Sequence, residues 1–374
     1  MNPSSHDRRE FLRKTTAVSS AAMAAGLLGM PELHANEAPI PDDEKLGVAL
    51  VGLGSLSTNQ IAPALQKTKR CKLAAVVSGT AEKREKWSKK YDLAPEHIYT
   101  YETFDKIADD DAVDIIYIVL PNGLHCEYTV RAAKAGKHVF CEKPMAISSV
   151  ECRQMIDACQ KAERLLGIAY RCQFEPHHLK CIELAKSKEF GDIKQIVGGF
   201  GFKIGDPKQW RLNKKLAGGG PLMDVGIYAL QACRYLTGLE PELITATETK
   251  TDPVKFAQVE ETLSWTMKMG DVNCSMTTSY AFNGINNFRA YCDKGNFGLD
   301  SAFGYGGIKG SSSKGPIEFE QTDHFAAELD HFAQCITEGS ELRVPGEMGL
   351  QDLLILEAIF KAAETGLSIK PESM

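Results

Sequence analysis

The sequence predicts an α/β chain: a doubly wound parallel sheet, then a C-terminal α+β domain built on a large, mostly antiparallel open sheet. Three observations carry this. Apolar runs of strand length alternate with helical stretches between residues 46 and 163, the pattern of a parallel sheet covered on both faces. The first run opens directly into a glycine loop, Gly52-Leu53-Gly54. Beyond residue 170 the apolar runs lengthen and pair through short turns, as antiparallel strands do. A chain of 374 residues also exceeds the usual size of one domain.

Each element follows from local chemistry. Strand 46–51 precedes the loop and a helix over 58–67 follows it, then strand 72–77 and helix 81–91. The run 113–120 is rich in Ile and Val, and helix 124–135 closes at Gly136, which suits a left-handed cap. Strand 137–141, helix 149–163 and strand 165–170 complete the alternation. The strands 193–202, 261–268 and 271–280 come next, the last two joined by a turn at Met269-Gly270. Residues 304–315, rich in Gly, Ser and Lys, read as a mobile loop, and a helix over 348–364 stops at Gly366. The strands of the second domain carry Phe200, Phe202, Trp265, Met267 and Met276 on both alternating sets. One apolar face would then need a partner, which predicts a homodimer or homotetramer.

The N-terminus has the order of an export signal. Arg8 and Arg9 open a charged segment, a weakly apolar run spans 15–30, and Leu33-His34-Ala35 offers a small-residue cleavage site. Twin arginines mark the route for folded cargo, which predicts a periplasmic protein. The domain reading is therefore signal 1–35, extended arm 36–45, dinucleotide domain 46–165 and second domain 166–374. A net charge of −6 with no basic stripe gives no nucleic-acid surface, and no apolar run reaches a membrane span. Eleven cysteines without a Cys-x-x-Cys pair read as buried thiols rather than bridges or metal ligands.

Gly52-x-Gly54-x-x-Ser57 departs from the dinucleotide fingerprint only in its third position, and the strand before it and helix after it supply the expected frame. Gly52, Gly54, Ser55 and Leu56 are candidates for the pyrophosphate loop. At the tip of the second strand an acid would select NAD. This chain has Ser78-Gly79-Thr80 there, with Lys83 and Arg84 a turn on, hydroxyls and cations that suit the 2′-phosphate of NADP.

Glu142-Lys143-Pro144 stands at the C-terminal end of a buried strand, where ligands of α/β sheets lie. Downstream, Asp224 and Tyr228 are four residues apart and would share one face of a helix starting near Pro221. A lysine ammonium near the phenol would lower its pKa and ease proton exchange near neutrality. Spacing alone equally allows a core tyrosine and a surface acid.

Glu142-Lys143-Pro144 with Asp224-x-x-x-Tyr228 resembles the Gfo/Idh/MocA oxidoreductases, and among them the bacterial periplasmic glucose–fructose oxidoreductases. The resemblance runs from 41 to 369 and includes Leu120-Pro121-Asn122-x-Leu124-His125, Tyr170-Arg171-Cys172, Gln209-Trp210-Arg211-Leu212 and Leu216-Ala217-Gly218-Gly219-Gly220. It implies a tightly held NADP facing a sugar pocket on the second sheet. Tyr228 would donate and accept the proton, where most relatives have histidine; Lys143 would position the sugar hydroxyl and tune Tyr228, and Asp224 would orient the substrate. Tyr170, Arg171, Trp210 and Arg211 would line the nicotinamide and sugar side, with Leu120, Pro121, Asn122, His125 and Glu142 bordering the cofactor. The implied reaction oxidises an aldose at C1 to a lactone and reduces a second sugar by ping-pong hydride transfer, with no metal. A same-family NAD-dependent glycosidase and a non-catalytic sugar-binding protein are the alternatives. The ten residues between Ala35 and Leu46 form a shorter arm than the resembled enzymes carry.

Overall fold

The computed structural model describes residues 40–374; the expected export signal and residues 36–39 of the expected arm lie outside the described residues. The first sheet has six strands in the order β3-β2-β1-β4-β5-β6: β1 Leu46–Val51, β2 Cys71–Val77, β3 Ile98–Tyr99, β4 Ile115–Ile118, β5 His138–Glu142 and β6 Leu166–Ala169. All neighbours are parallel. Every residue of β1 and β4 is buried, which is why both read as unbroken apolar runs: helices cover the two faces. A π-type turn Ser57–Ile61 runs into Ala62–Leu65 as α1, and α2 Ala81–Tyr91, α3 His125–Lys134 and α4 Ser149–Lys161 follow. Ser148 caps α4 by accepting from Glu151 N, satisfying a donor the helix leaves open.

β6 hydrogen-bonds to β5 as an edge of this first sheet, so the expected division at 165/166 falls within the sheet and moves past Ala169. Sequence periodicity cannot see which sheet a four-residue strand joins.

After α5 Pro176–Ser187 comes β7 Ile193–Gly201, then the short α6 Lys214–Ala217 and α7 Ile227–Thr237, the latter entered through a π-type turn Leu222–Gly226. β8 Leu243–Thr249, β9 Thr262–Met269, β10 Val272–Ser279, β11 Asn286–Cys292, β12 Gly295–Asp300, β13 Lys309–Ser312 and β14 Gly315–Ile317 complete the second sheet, ordered β14-β13-β12-β11-β7-β10-β9-β8. Only the β7–β10 pair is parallel among its neighbours. The 304–315 segment is in part the edge hairpin β13–β14 rather than a free loop; glycine and serine hid two short strands, of which β13 pairs with β12 and β14 with β13. α8 His324–Glu338 and α9 Gly346–Thr365 close the chain, and the lead into α9 returns to the first sheet through Ile168 N to Val344 O.

The apolar residues of the second sheet do not occupy two faces. Leu263, Trp265, Met267 and Met276 are all buried, while Thr245, Thr247, Ser264 and Thr266 are exposed on the other side. Phe200 turns inward against Tyr228 and Phe303, and Phe202 packs on Tyr280. Those residues therefore do not supply a second apolar face; the outer face is lined by threonine and serine together with Val197, Ile285 and the exposed Leu243 and Tyr291. All eleven cysteines are free, and all but Cys292 are buried.

Candidate active site

The nucleotide loop starts at the C-terminal end of β1. Gly52 has φ +92°, and a Cβ there would stand 2.3 Å from Val119 O, so only glycine fits. Beside Gly54 a Cβ would meet nothing within 4 Å. Ser57, at the fingerprint's third position, donates its hydroxyl to Gly52 O and closes the turn from inside. Ser55 is exposed, its Oγ accepting from Asn59 Nδ2 at 3.0 Å, and Leu56 is half-buried.

At the tip of β2, Ser78 is buried and its Oγ accepts from Thr80 N at 3.3 Å. Gly79 lies under Tyr101, whose ring a Cβ would approach to 3.3 Å. Arg84 Nη1 donates to Ser78 O at 2.6 Å, bracing the turn, while Lys83 and Glu82 are exposed in the first turn of α2. No carboxylate stands on the strand tip itself. An open loop, a helix start and this hydroxyl and cation set fit a 2′-phosphorylated nicotinamide dinucleotide.

Past β4 the expected cofactor border is largely turned inward. Leu120 is buried near the Gly52 turn and Pro121 is half-buried. Asn122 Nδ2 donates to Ala217 O at 2.8 Å, tying this loop to α6. His125 is buried, with Nδ1 2.9 Å from Pro144 O and Nε2 2.8 Å from Leu120 O. Both ring nitrogens thus face backbone carbonyls rather than a ribose; burial pulls the His125 pKa down, and the neutral ring donates to one of the two carbonyls.

At the end of β5, Glu142 is buried and accepts from Tyr117 Oη at 2.9 Å; burial raises its pKa. The adjacent Lys143–Pro144 peptide is cis. Lys143 Nζ donates to the Asp224 carbonyl at 2.6 Å, stands 4.0 Å from Asp224 Oδ1 and lies 4.5 Å from the Tyr228 ring centroid. Lys143, Asp224 and Tyr228 are therefore one cluster, although Asp224 sits in the π-type turn and Tyr228 in α7. Asp224 Oδ2 accepts from Arg211 Nε at 2.9 Å and from Tyr280 Oη at 2.7 Å. Burial would push this carboxyl up, but Arg211, Lys143 and the Tyr280 hydroxyl hold it below its ordinary value.

The phenol differs from expectation. Burial raises the Tyr228 pKa, and the opposing charge that acts most strongly on it is Arg171, not Lys143. Lys143 lies over the ring face as a cation–π partner, and burial lowers its own pKa. A positioned lysine does not suffice to lower a phenol that is itself desolvated.

Arg171 and Tyr170 also occupy the interior. Arg171 Nη1 and Nη2 donate to Gly304 O at 3.0 Å and Phe303 O at 2.6 Å, and its guanidinium stacks against Tyr228 and Tyr305, each 4.9 Å away. It supports Tyr228 from behind and holds the 303–305 loop against it. Tyr170 is buried and donates its hydroxyl to Asp352, so that hydroxyl is spent and only the ring can face substrate. Trp210 packs under Arg211, ring centroid to guanidinium 4.7 Å. Tyr280 and Tyr305 are the site residues that spacing did not reveal. Their one sequence signal is weak: Tyr280 ends a strand and Tyr305 sits between glycines.

The chain is similar along most of its length to characterised proteins. Residues 46–170 match the oxidoreductase family model GFO_IDH_MocA, with its NAD-binding Rossmann fold, and residues 178–298 match the C-terminal domain of the same family. The chain is 30% identical over 339 residues to a D-xylose 1-dehydrogenase [NADP(+)] of Haloarcula marismortui, covering 88% of this chain and 94% of the relative. A D-xylose 1-dehydrogenase (NADP(+)) of Haloferax volcanii is 27% identical, with 86% and 98% covered. The aldose-aldose oxidoreductase of Caulobacter crescentus, solved with glycerol, superposes with a TM-score of 0.85 at 43% identity, covering 87% of this chain and 99% of that one. With its sheet order, its Gly52 loop and its Lys143–Asp224–Tyr228 cluster in place, the chain belongs to the Gfo/Idh/MocA family of oxidoreductases.

Proposed function

We propose that this protein is an NADP-dependent sugar oxidoreductase that oxidises the C1 hydroxyl of an aldose to a lactone and returns the hydride to a second sugar. The carrying observation is the convergence of Lys143, Asp224 and Tyr228 around one polar centre at the C-terminal end of β5. Asp224 is held by Arg211 and Tyr280 through Oδ2, which leaves Oδ1 to accept from a sugar hydroxyl. Tyr228 takes the C1 hydroxyl proton as the C1 hydrogen leaves as hydride, and later returns that proton to the second sugar. Lys143 and Arg171, at 4.5 and 4.9 Å from the phenol ring, offset the negative charge of the phenolate form, which takes the first proton and is restored when that proton is given to the second sugar. NADP, when bound, accepts and returns the hydride; Gly52, Gly54, Ser78, Thr80 and Lys83 are the residues proposed to hold it.

The relatives named as NADP-linked xylose dehydrogenases and as an aldose-aldose oxidoreductase support a sugar substrate and NADP. The two-sugar cycle follows from location: Arg8 and Arg9 assign the protein to the periplasm in this proposal, where a free nucleotide pool is lacking. The test is to purify the protein without added nucleotide, record its absorbance and mix it with an aldose and a second sugar. Reduction of a bound nucleotide by the first sugar and reoxidation by the second are expected. Turnover that needs free NADP would leave a simple aldose dehydrogenase. Cell fractionation of an Arg8→Lys, Arg9→Lys variant tests the export route.

A further inference from the structure

One aromatic ring beside the reaction centre stands open to solvent. Tyr305 is 51% exposed, while the side chains of Lys143 and Asp224 keep only 11% and 15%. A half-exposed tyrosine is ordinary on a surface, but this one is fixed on several sides. The Arg171 guanidinium lies 4.9 Å from the centroid of the Tyr305 ring and 4.9 Å from that of Tyr228, so one buried cation links the open ring to the reacting phenol. The Phe325 ring of α8 braces Tyr305 at 5.6 Å.

The backbone beneath the ring is held as firmly. Arg171 donates to Phe303 O and Gly304 O. Phe303 N donates to Asn286 Oδ1 at 2.7 Å, and Gly304 N to Ser301 O at 3.1 Å. Phe303 is buried and packs against Tyr228 at 5.7 Å. Within one loop, Phe303 thus backs the phenol and Tyr305 reaches solvent beside it. Burial among these neighbours still pushes the Tyr305 phenol up to about 12; Tyr228 adds to the rise, and Arg171 and Lys143 oppose it. The ring is therefore open on one side and crowded by the reaction centre on the other.

The centre itself supplies polar groups. Lys143, Asp224, Arg211 and the Tyr228 hydroxyl suit the hydroxyls round the edge of a sugar, and none of them suits its C–H faces. The Tyr228 ring is already covered by Lys143 and Arg171. A closed sugar ring has two such faces, which a binding site covers with an aromatic side chain. An open-chain polyol has the hydroxyls but no face.

We propose that the Tyr305 ring is the platform on which the substrate stacks, and that the substrate is therefore a pyranose bound as a closed ring. This rests on the sugar oxidoreductase reading above and adds the form of the sugar. A stacked face does not change as C1 gives up its hydride, so Tyr305 binds ground state and transition state alike. Both sugars of the proposed cycle meet the same ring.

The test uses the full chain with its bound nucleotide and reads binding by titration calorimetry. The probes are anhydroxylitol, a xylopyranose lacking the C1 hydroxyl, and xylitol, its open-chain counterpart. Tyr305→Phe keeps the platform and should bind both probes as the wild type does. Tyr305→Leu should weaken anhydroxylitol roughly tenfold and xylitol by less than about twofold. In steady state the same variant should raise KM for D-xylose roughly tenfold, with kcat within about twofold of wild type. Unchanged binding of anhydroxylitol, or equal weakening of both probes, would overturn the platform and leave the sugar reading intact. A lower kcat at unchanged KM would overturn it too, since Tyr305 would then act only through Arg171 on Tyr228. A wild type that binds neither probe would sink the sugar reading and the platform together.

Discussion

Tyr280 Oη donates to Asp224 Oδ2 across 2.7 Å, joining the end of β10 to the turn that enters α7. The same oxygen accepts from Arg211 Nε, so two residues from separate segments aim one carboxylate. The second sheet thereby fixes a group whose neighbour, Lys143, comes from the first.

Tyr280→Phe should keep the fold, since the ring still packs on Phe202. It removes one hydrogen bond to a charged group, worth about 1.5–3 kcal/mol. Steady-state kinetics should show kcat/KM lower by roughly tenfold or more, with Asp224→Asn costing at least as much. An unchanged kcat/KM would show that Arg211 alone orients Asp224.

Tyr228→Phe should retain secondary structure and bound nucleotide while turnover falls by roughly 10²–10⁴, the scale of a lost acid–base group. Single-turnover absorbance of the bound nucleotide checks this. Because burial raises the Tyr228 pKa, the wild-type rate should still be climbing with pH above neutrality, where the phenolate fraction grows.

Lys83→Ala tests the cofactor end. Lys83 is exposed in the first turn of α2, and losing a charge partner of the 2′-phosphate costs about 1.5–3 kcal/mol. Titration should show NADP weakened roughly tenfold or more and NAD hardly changed. Equal losses would remove the 2′-phosphate from this strand tip.

Glu328 in α8 is fully buried, neither carboxylate oxygen has a hydrogen-bond partner, and burial followed by Glu142 pushes its pKa well above the ordinary value. In the unfolded chain the group ionises near pH 4.3. Its contribution is therefore fully present below about pH 4.3 and is lost as pH rises through the folded pKa. Melting temperature should fall between pH 5 and 9 more steeply in the wild type than in Glu328→Gln. Parallel curves would mean that Glu328 stays ionised in the fold.

The chain order by itself determined the parallel sheet, because strands buried on both faces must be unbroken apolar runs, as β1 and β4 are. It also determined the Gly52 turn, whereas the spacing of Asp224 and Tyr228 left their grouping with Lys143 open and only the family resemblance pointed to it. Local chemistry suffices for the sheet and the turn. Tertiary structure alone decided which groups are free to act. His125, Tyr170 and Arg171 read as binding residues until their polar atoms met Pro144, Asp352 and Gly304, partners up to 182 residues away. The outer face of the second sheet, the 304–315 hairpin and the raised Tyr228 phenol were likewise settled by what packs against what. Burial and long-range hydrogen bonding leave no period in a sequence, and they set both the charge of a side chain and the atoms it has left to offer.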